Sequence, residues 1–244
     1  MKARATGYGS RFLALALSPL LFPQSRVVLS HLPKLDEAHG KWKGTVEGPD
    51  QLRLLVFGDS TVAGVGLVVD ADAGDGLAHA LATEISAGLG RGVRWKAIAR
   101  SGVSSGELRS YFLPRASRGT YDLVFISIGV NDVLHLRRKG QFTSDLRAIM
   151  EALSLASPTA TIFVAGIPRL ERFDSLPDPL GTVLGARGHR LNAGAHEVLS
   201  AYPTAVHVPP WPIAAPGFFA IDQFHPSAAG YAAWARSSVK FWLR

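Results

Sequence analysis

The sequence predicts a three-layer α/β/α sandwich built on a parallel sheet of five strands. Three observations support this prediction: five short runs rich in Val, Ile, Leu and Phe, helix-like stretches between them, and the mostly continuous rather than alternating apolar character of the runs. Strands that are apolar throughout are expected where helices cover both faces of a sheet. A regular succession of such strands and helices is typical of α/β domains.

The predicted elements follow one another in a regular order. Strands are predicted at residues 52–57, 94–99, 123–128, 161–165 and 205–208. Helices are predicted at about 76–89, 104–112, 141–156, 187–201 and 227–241, the last because small and apolar residues recur there at helical spacing. The Pro-rich stretches 168–186 and 209–221 are predicted as long loops, and loops of this length in a compact domain usually carry function.

The composition is that of one packed domain without disulfide cross-links. The chain has 244 residues, of which 47% are hydrophobic and 18% are charged, and a chain of this size buries roughly 70–75% of its unfolded surface. It has no cysteine, which excludes disulfides, thiolate nucleophiles and cysteine-based metal sites. It also lacks the zinc-protease and phosphate-loop motifs. We therefore expect no metal and no cofactor.

The positive charge is concentrated near the amino terminus. Residues 1–34 contain five basic and no acidic residues, so they carry +5 of the formal net charge of +7. The remainder is nearly neutral, which argues against a nucleic-acid partner. The same segment contains an apolar run over residues 12–22, which is too short to span a bilayer.

This pattern sets residues 1–50, a basic and apolar amino-terminal segment, apart from a main domain at 51–244. Two interpretations of the segment stay open: a helix that braces the domain, or a cationic stretch that makes peripheral membrane contact through residues 1–34. The apolar run is not followed by a typical signal-peptide cleavage site. We therefore expect a cytoplasmic protein, free or membrane-associated, rather than a secreted or periplasmic one.

Polar residues follow the predicted strands where those strands end. Ser60 follows the first strand, a Gly/Ser turn follows the second, Asn131 follows the third, and Asp222 and His225 lie beyond the fifth. The carboxyl ends of parallel strands meet at one edge of a sheet, which is where ligands bind. A hydroxyl, an imidazole and a carboxylate gathered there suit acyl transfer by a serine nucleophile. Ser60 would attack, His225 would carry the proton, and Asp222 would orient the imidazole.

The oxyanion of such a reaction needs hydrogen-bond donors. The backbone amide of Ser60, a backbone amide of the turn at 104–106 and the side-chain amide of Asn131 are the candidates. Asp59 and Asp132, which flank these groups in sequence, are expected to be structural hydrogen-bonding residues rather than catalysts.

The motifs resemble those of the GDSL or SGNH hydrolases. Four blocks occur in the family's order: Gly58-Asp59-Ser60, the Gly/Ser turn at 101–106, Gly129-x-Asn131-Asp132, and Asp222-x-x-His225-Pro226. The resemblance runs from about residue 52 to the carboxyl terminus. It implies a flavodoxin-like fold and hydrolysis of a small-molecule ester without metal or cofactor. It also implies the roles given above to Ser60, Asn131, Asp222 and His225.

The resemblance is imperfect at two blocks. Thr61 follows Ser60, where the family usually has Leu. An ungapped comparison of the second block assigns the oxyanion amide to Ser105, with Gly106 as the alternative.

Three other interpretations stay open. Gly102-x-Ser104-x-Gly106 matches the nucleophile elbow of α/β-hydrolases, which makes Ser104 a rival nucleophile. His135 lies three residues after Asp132 and is a rival base. The third is a flavodoxin-like module that binds a small ligand without turnover, because the same polar residues at the strand ends could serve binding alone.

Aromatic residues of the two predicted loops suggest the substrate class. Phe173, Trp211, Phe218 and Phe219 are placed to line an acyl site, which favours lipophilic esters of short to medium chain length. Packing of the loops against the body would require the same residues.

Overall fold

The computed structural model describes residues 33–39, 42–67 and 76–243, and at its centre lies a six-stranded sheet. The strands are β1 Lys43–Val46, β2 Leu52–Gly58, β3 Val93–Ala99, β4 Leu123–Ser127, β5 Thr161–Ala165 and β6 Ala205–Val208. Their order across the sheet is β1-β3-β2-β4-β5-β6. Strands β2 to β6 are parallel and confirm the five predicted strands.

The sixth strand corrects the predicted five-stranded sheet. Strand β1 pairs antiparallel with β3 at the edge of the sheet, so the sheet is mixed. Its sequence, Lys-Gly-Thr-Val, is short and half-exposed, and it lacks the apolar run that marks the other strands. The strand falls within the segment 1–50, so residues 43–46 form part of the sheet. Residues 1–32 lie outside the described residues, and the brace and membrane-contact interpretations stay predictions.

Helices cover both faces of the sheet. They are α1 Leu77–Leu89, α2 Ser105–Glu107, α3 Leu113–Ala116, α4 Val130–Leu134, α5 Lys139–Ala156, α6 Leu180–Leu199 and α7 Ala228–Trp242. A π-helical turn, Leu108–Phe112, joins α2 to α3, and a 3-10 turn covers Leu170–Arg172. None of the described helices is both long enough and apolar enough to cross a membrane.

The predicted loop at 168–186 is partly helical, because α6 begins at Leu180 and not near residue 187. Glycines at 181, 185 and 188 lower the helix propensity of this stretch. They also permit close packing: a Cβ at Gly181 would lie 2.5 Å from the Leu176 carbonyl oxygen, and one at Gly185 would lie 2.2 Å from the Glu171 carboxylate. Tertiary contacts therefore stabilise a helix that the local sequence disfavours.

The core runs through the middle of the sheet and fixes the level of the strand ends. In β2, residues 54–57 are almost fully buried. Gly58, the last residue of β2, pairs with Ala99 of β3 and with Ser127 of β4. Three adjacent strands thus end at one level, and the loops that follow them share one edge.

Candidate active site

The loop that carries Ser60 leaves β2 in close contact with β4. A Cβ at Gly58 would lie 2.0 Å from the Ser127 carbonyl oxygen, so only glycine fits at this position. The Asp59 N–H donates to that same oxygen at 3.1 Å. The Asp59 carbonyl then accepts the N–H of Ala63 at 3.0 Å, and the chain winds into a tight turn. Ser60 lies half-buried at the start of this turn.

The segment that carries His225 is tied to the preceding loop by backbone hydrogen bonds. The Ala220 N–H donates to the His225 carbonyl oxygen, and the Ser227 N–H donates to that of Phe218, both at 2.8 Å. Ser227 then caps α7, because its side-chain oxygen accepts the Gly230 N–H at 3.1 Å. These contacts fix the imidazole between a paired loop and a helix start.

The two segments meet, although Ser60 and His225 are 165 residues apart. His225 Nε2 lies 3.1 Å from Ser60 Oγ, and His225 Nδ1 lies 2.6 Å from Asp222 Oδ2. The other carboxylate oxygen of Asp222 accepts the backbone N–H groups of Phe224 at 3.0 Å and His225 at 2.9 Å. The structure thus brings together the predicted hydroxyl, imidazole and carboxylate in one hydrogen-bonded chain.

The environment of Asp222 favours its charged form. Burial acts to raise the pKa of this carboxyl, but hydrogen bonds from the His225 ring and from the backbone of His225 and Phe224 outweigh it. The pKa of Asp222 therefore lies below its ordinary value. A carboxylate that stays ionised can hold the imidazole in one tautomer and stabilise its protonated form.

Asn131, the predicted side-chain donor for an oxyanion, lies in the segment that follows β4. It follows Gly129, whose φ of +123° turns the chain sharply after β4, and it belongs to the first turn of α4. Its Nδ2 donates to the Val103 carbonyl oxygen at 3.0 Å. That bond links the loop after β4 to the turn after β3 and uses one of the two amide hydrogens.

The structure contradicts the assignment of the oxyanion amide to Ser105. The Ser105 N–H donates to Asp132 Oδ2 at 2.9 Å, and its hydroxyl donates to Asp132 Oδ1 at 2.6 Å. Ser105 is fully buried, so this amide is committed to a carboxylate. The alternative Gly106 lies against the Arg137 guanidinium, since a Cβ there would come within 2.6 Å of Nη1.

Among the described residues, the Gly102 N–H makes no hydrogen bond, in contrast to that of Ser105. Gly102 has a φ of +79° and open space around its Cβ position. It is a free backbone donor in the turn after β3 that the sequence reasoning did not single out. The pair Ser101-Gly102, one residue beyond the end of β3, was the signal that could have indicated it.

Asp132 and Asp145 are the buried carboxylates of an ionic cluster, defined here as Ser105, Arg109, Asp132, Arg137 and Asp145. Arg137 Nε lies 3.0 Å from Asp132 Oδ1, its Nη2 is paired with Asp145, and Arg109 Nη1 lies 3.1 Å from Asp145 Oδ1. Burial raises the pKa of Asp132, and the hydrogen bonds from Ser105 act against this. Asp132 therefore has the structural role expected of it.

Ser104, the rival nucleophile, is part of a helix cap. Its hydroxyl donates to Glu107 Oε2 at 2.7 Å, and its N–H donates to the same oxygen at 2.9 Å. This is a capping box at the start of α2. The elbow interpretation is wrong, because the hydroxyl is buried and faces a carboxylate rather than an imidazole. The rival base His135 is exposed at the end of α4, and its ring makes no hydrogen bond within the described residues.

The four aromatic residues predicted to line an acyl site are mostly core residues. Phe173, Trp211 and Phe218 are at most 6% exposed, which leaves them too little surface to line an open cleft. Their rings pack on one another, and Phe173 also contacts Phe219 with ring centres 4.9 Å apart. Phe219 is half-buried and keeps some accessible surface. Both a protein core and a lipophilic cleft favour apolar side chains. The residue types alone therefore could not show which of these two places the loop aromatics occupy.

The cluster of aromatic rings reaches the site through one residue. Phe224 contacts Phe173 on one side, and its ring centre lies 5.5 Å away. On the other side its ring centre lies 5.3 Å from that of His225. The buried aromatic cluster therefore contacts the imidazole of His225 through Phe224.

Asp59 is buried beneath the nucleophile loop. Its Oδ1 accepts the hydroxyl of Thr61 at 3.0 Å and the Thr61 N–H at 3.2 Å, and the Thr61 hydroxyl also lies 2.8 Å from Ser127 Oγ. Burial raises the pKa of Asp59 to about 6, although the bonds from Thr61 oppose this. This is the structural role that the sequence predicted.

The raised pKa of Asp59 has a consequence for stability. Because the folded state holds its proton up to a pH of about 6 and the unfolded state loses it near pH 4, this group makes the protein less stable as the pH rises between these values. We expect Asp59→Asn to gain stability relative to the wild type over this range. Urea unfolding of both proteins at pH 4.5, 5.5 and 7 measures the difference. A difference that stays constant with pH would contradict the assignment.

No group of three or more potential metal ligands occurs among the described residues. The hydrogen-bonded chain of Ser60, His225 and Asp222 is thus the main chemical feature at the carboxyl ends of the strands.

Comparison with known proteins gives relatives of one kind. The GDSL-like esterase Rv1075c of Mycobacterium tuberculosis is 28% identical over 216 residues, a match that covers 82% of this chain and 66% of that protein. This chain therefore spans just under two thirds of that relative's length.

Solved structures share the fold at low identity. The lipase Lip_vut3 from a goat rumen metagenome is 16% identical with a TM-score of 0.60, covering 76% of this chain and 95% of its own. Axe2, an acetylxylan esterase from Geobacillus stearothermophilus, is 20% identical with a TM-score of 0.57, covering 79% and 94%.

A family-wide comparison covers most of the sheet and the whole of the site. Residues 56–233 match the sequence profile of the GDSL-like lipase/acylhydrolase family. This range contains Ser60, Asn131, Asp222 and His225, and it is well over half of the chain. The chain therefore belongs to the GDSL-like lipase/acylhydrolase family.

Proposed function

We propose that this protein hydrolyses carboxylic esters with Ser60 as nucleophile, His225 as general base and acid, and Asp222 as the group that orients the imidazole. The observation that carries the proposal is the chain of contacts from Ser60 Oγ to His225 Nε2 at 3.1 Å and from His225 Nδ1 to Asp222 Oδ2 at 2.6 Å. A hydroxyl next to an imidazole whose far side is held by a carboxylate is an activated nucleophile.

In the first half of the reaction, Ser60 Oγ attacks the carbonyl carbon of the ester and its proton passes to His225 Nε2. The carbonyl π electrons move to oxygen and form a tetrahedral oxyanion. When this intermediate collapses, the alcohol leaves with the proton from His225. Asp222 stabilises the transient imidazolium, because its lowered pKa keeps it charged.

In the second half, water adds to the acyl group on Ser60 and gives its proton to His225. The bond between the acyl carbon and Ser60 Oγ then breaks, and the proton returns to that oxygen. The products are a carboxylic acid and the original serine. No other reactant is required.

Three donors are available for the oxyanion in this proposal. They are the Ser60 N–H, the second side-chain N–H of Asn131 and the Gly102 N–H. Within the described residues the two backbone amides make no hydrogen bond. Asn131 is held against the Gly102 turn by its bond to the Val103 carbonyl. Losing one such donor typically lowers the rate by about 10² to 10³.

Apolar surface near His225 favours a lipophilic acyl group of short to medium length. Ile221, next to Asp222, is 77% exposed, and Phe219 and Phe224 are half-buried nearby in the chain. The structural neighbours include both a lipase and an acetylxylan esterase, so the fold is compatible with either class of ester. Exposed apolar groups beside the site favour alkyl esters over acetylated sugars.

Covalent labelling tests the proposal. We expect a fluorophosphonate probe to modify the protein, and mass spectrometry of the digest to place the adduct on Ser60. Turnover of 4-nitrophenyl esters from acetate to octanoate measures the acyl preference in parallel, with kcat/KM higher for butyrate or hexanoate than for acetate. A protein that takes no label and turns over no ester would instead be a binding module, and an adduct on Ser104 would remove the assignment.

A further inference from the structure

We propose that Glu37 is a positioning residue, which holds the turn at Arg100–Gly102 so that the Gly102 N–H faces the oxyanion. Residues 33–39, which precede the family-matched range of 56–233, would thereby form part of the active site. The inference rests on the proposed ester hydrolysis and adds a residue that this function alone does not assign.

Residues 33–39 connect two of the loops at the active-site edge of the sheet. Glu37 Oε1 accepts the Ser101 N–H at 2.6 Å, and the adjacent Ala38 N–H donates to the Ala63 carbonyl oxygen at 2.9 Å. Two neighbouring residues thus bind the turn after β3 and the loop after β2.

The contact at Ala38 anchors the segment on the loop that carries the nucleophile. Ala63 belongs to the turn that begins at Asp59, since its N–H donates to the Asp59 carbonyl. A Cβ at Gly64 would lie 2.7 Å from Ala38 Cβ, and Gly64 has a φ of +75°. The segment therefore packs directly against the turn that begins with Ser60, which gives Glu37 a fixed base.

The turn after β3 needs such a support. Ser101 and Gly102 are exposed, and no atom lies within 4 Å of a Cβ placed on Gly102. Among the described residues, the hydrogen bond to Glu37 is the only one made by residues 100–102 outside the strand ladder. Glycine also has more backbone freedom than any other residue. Without Glu37, little would fix the direction of the Gly102 N–H.

A carboxylate suits this task. Hydrogen bonds from a backbone N–H to an ionised oxygen are shorter and stronger than those between neutral groups. The bond holds the peptide between Arg100 and Ser101, and the next peptide along the chain carries the Gly102 N–H. A misplacement of about 1 Å in a catalytic group can cost roughly 100-fold in rate.

The expected effect lies in the transition state. The oxyanion exists only after attack by Ser60, so loss of Glu37 should lower kcat while KM changes little. We expect Glu37→Ala to reduce kcat for 4-nitrophenyl butyrate by about 10- to 100-fold. The lower figure corresponds to a Gly102 N–H that is only misplaced, and the upper figure to one that no longer bonds the oxyanion. Glu37→Gln keeps an acceptor oxygen and should recover most of this rate.

The experiment uses the full-length chain and three variants: Glu37→Ala, Glu37→Gln and, as the matched control, Asp36→Ala. Asp36 is the exposed neighbour of Glu37, so its replacement removes the same charge without touching either loop. The measurements are kcat and KM, the inhibition constant of an alkyl boronic acid that forms a tetrahedral adduct on Ser60, and amide hydrogen exchange of Ser101.

Support for the proposal would be a lower kcat, weaker boronate inhibition and faster Ser101 exchange in Glu37→Ala, with Glu37→Gln and Asp36→Ala close to the wild type. Wild-type kcat in Glu37→Ala, or unchanged exchange at Ser101, would overturn it. Equal losses in Glu37→Ala and Asp36→Ala would also overturn it, because they indicate a general charge effect. Failure of the proposed function is a separate result: the wild type then hydrolyses no ester, whereas the exchange measurement still decides whether Glu37 holds the turn.

Discussion

Ser60→Ala is expected to lower kcat/KM for a soluble 4-nitrophenyl ester by about 10⁴- to 10⁶-fold. The variant loses the only hydroxyl within hydrogen-bonding reach of His225 Nε2 among the described residues, and with it the covalent intermediate. The effect should fall on kcat, since the carbonyl-binding groups stay in place. Stopped-flow or steady-state measurement of 4-nitrophenol release gives the ratio of kcat/KM between wild type and variant. Circular dichroism of both proteins checks that the variant is folded.

Ser104→Ala is the matched control for this prediction. It removes a serine hydroxyl from the same edge of the sheet, but that hydroxyl caps α2 through Glu107. Loss of such a cap costs about 1 kcal/mol of stability and should leave ester hydrolysis largely intact. If Ser60→Ala kept its activity and Ser104→Ala lost it, the assignment of the nucleophile would be wrong.

Arg137→Met is expected to destabilise the fold by about 3–5 kcal/mol, the cost of breaking a buried ion pair by removing one partner. Arg137 lies between the buried carboxylates of Asp132 and Asp145 and pairs with both. Methionine keeps the apolar length of the side chain but leaves the two carboxylates facing each other without their shared cation. Urea denaturation at pH 7 measures the change in the free energy of unfolding.

Arg53→Met provides the comparison at the surface. Arg53 pairs with Asp122 at 3.0 Å, a distance like that from Arg137 to Asp132, but about half of its side chain is exposed. Pairs of this kind contribute about 0–1 kcal/mol. We therefore expect Arg53→Met to be close to the wild type. Equal losses in the two variants would show that the cluster around Asp132 contributes no more than a surface pair.

The proposed catalytic residues could be predicted from the sequence because they lie in the segments that follow strands. A parallel sheet brings the ends of its strands to one edge whatever the distance along the chain, so the positions of Ser60, Asn131 and His225 followed from the order of elements. The side-chain types then indicated the chemistry. The same logic predicted the five parallel strands, since their apolar runs are long enough to recognise.

Ser105 was wrongly predicted to offer a free amide to the oxyanion, because a hydrogen-bond partner far along the chain decides which amide is free. Asp132 takes the amide of Ser105, 27 residues away, and no local pattern in the turn indicates this. The role of Arg137 and the contact of Glu37 with Ser101 are equally non-local. Strand β1 escaped prediction for another reason: an edge strand needs pairing on one side only and can form from a short polar sequence.

The antiparallel strand β1 also affects the behaviour of the protein in concentrated solution. Without it, the outer edge of β3 would present seven residues of unpaired backbone, a template on which strands of other molecules can assemble. With it, the part of this edge at Val93–Lys96 is covered by a strand that is only four residues long and begins with a lysine. Short, charged borders of this kind resist aggregation, so we expect this small strand to lower the tendency of the protein to form intermolecular β-sheet.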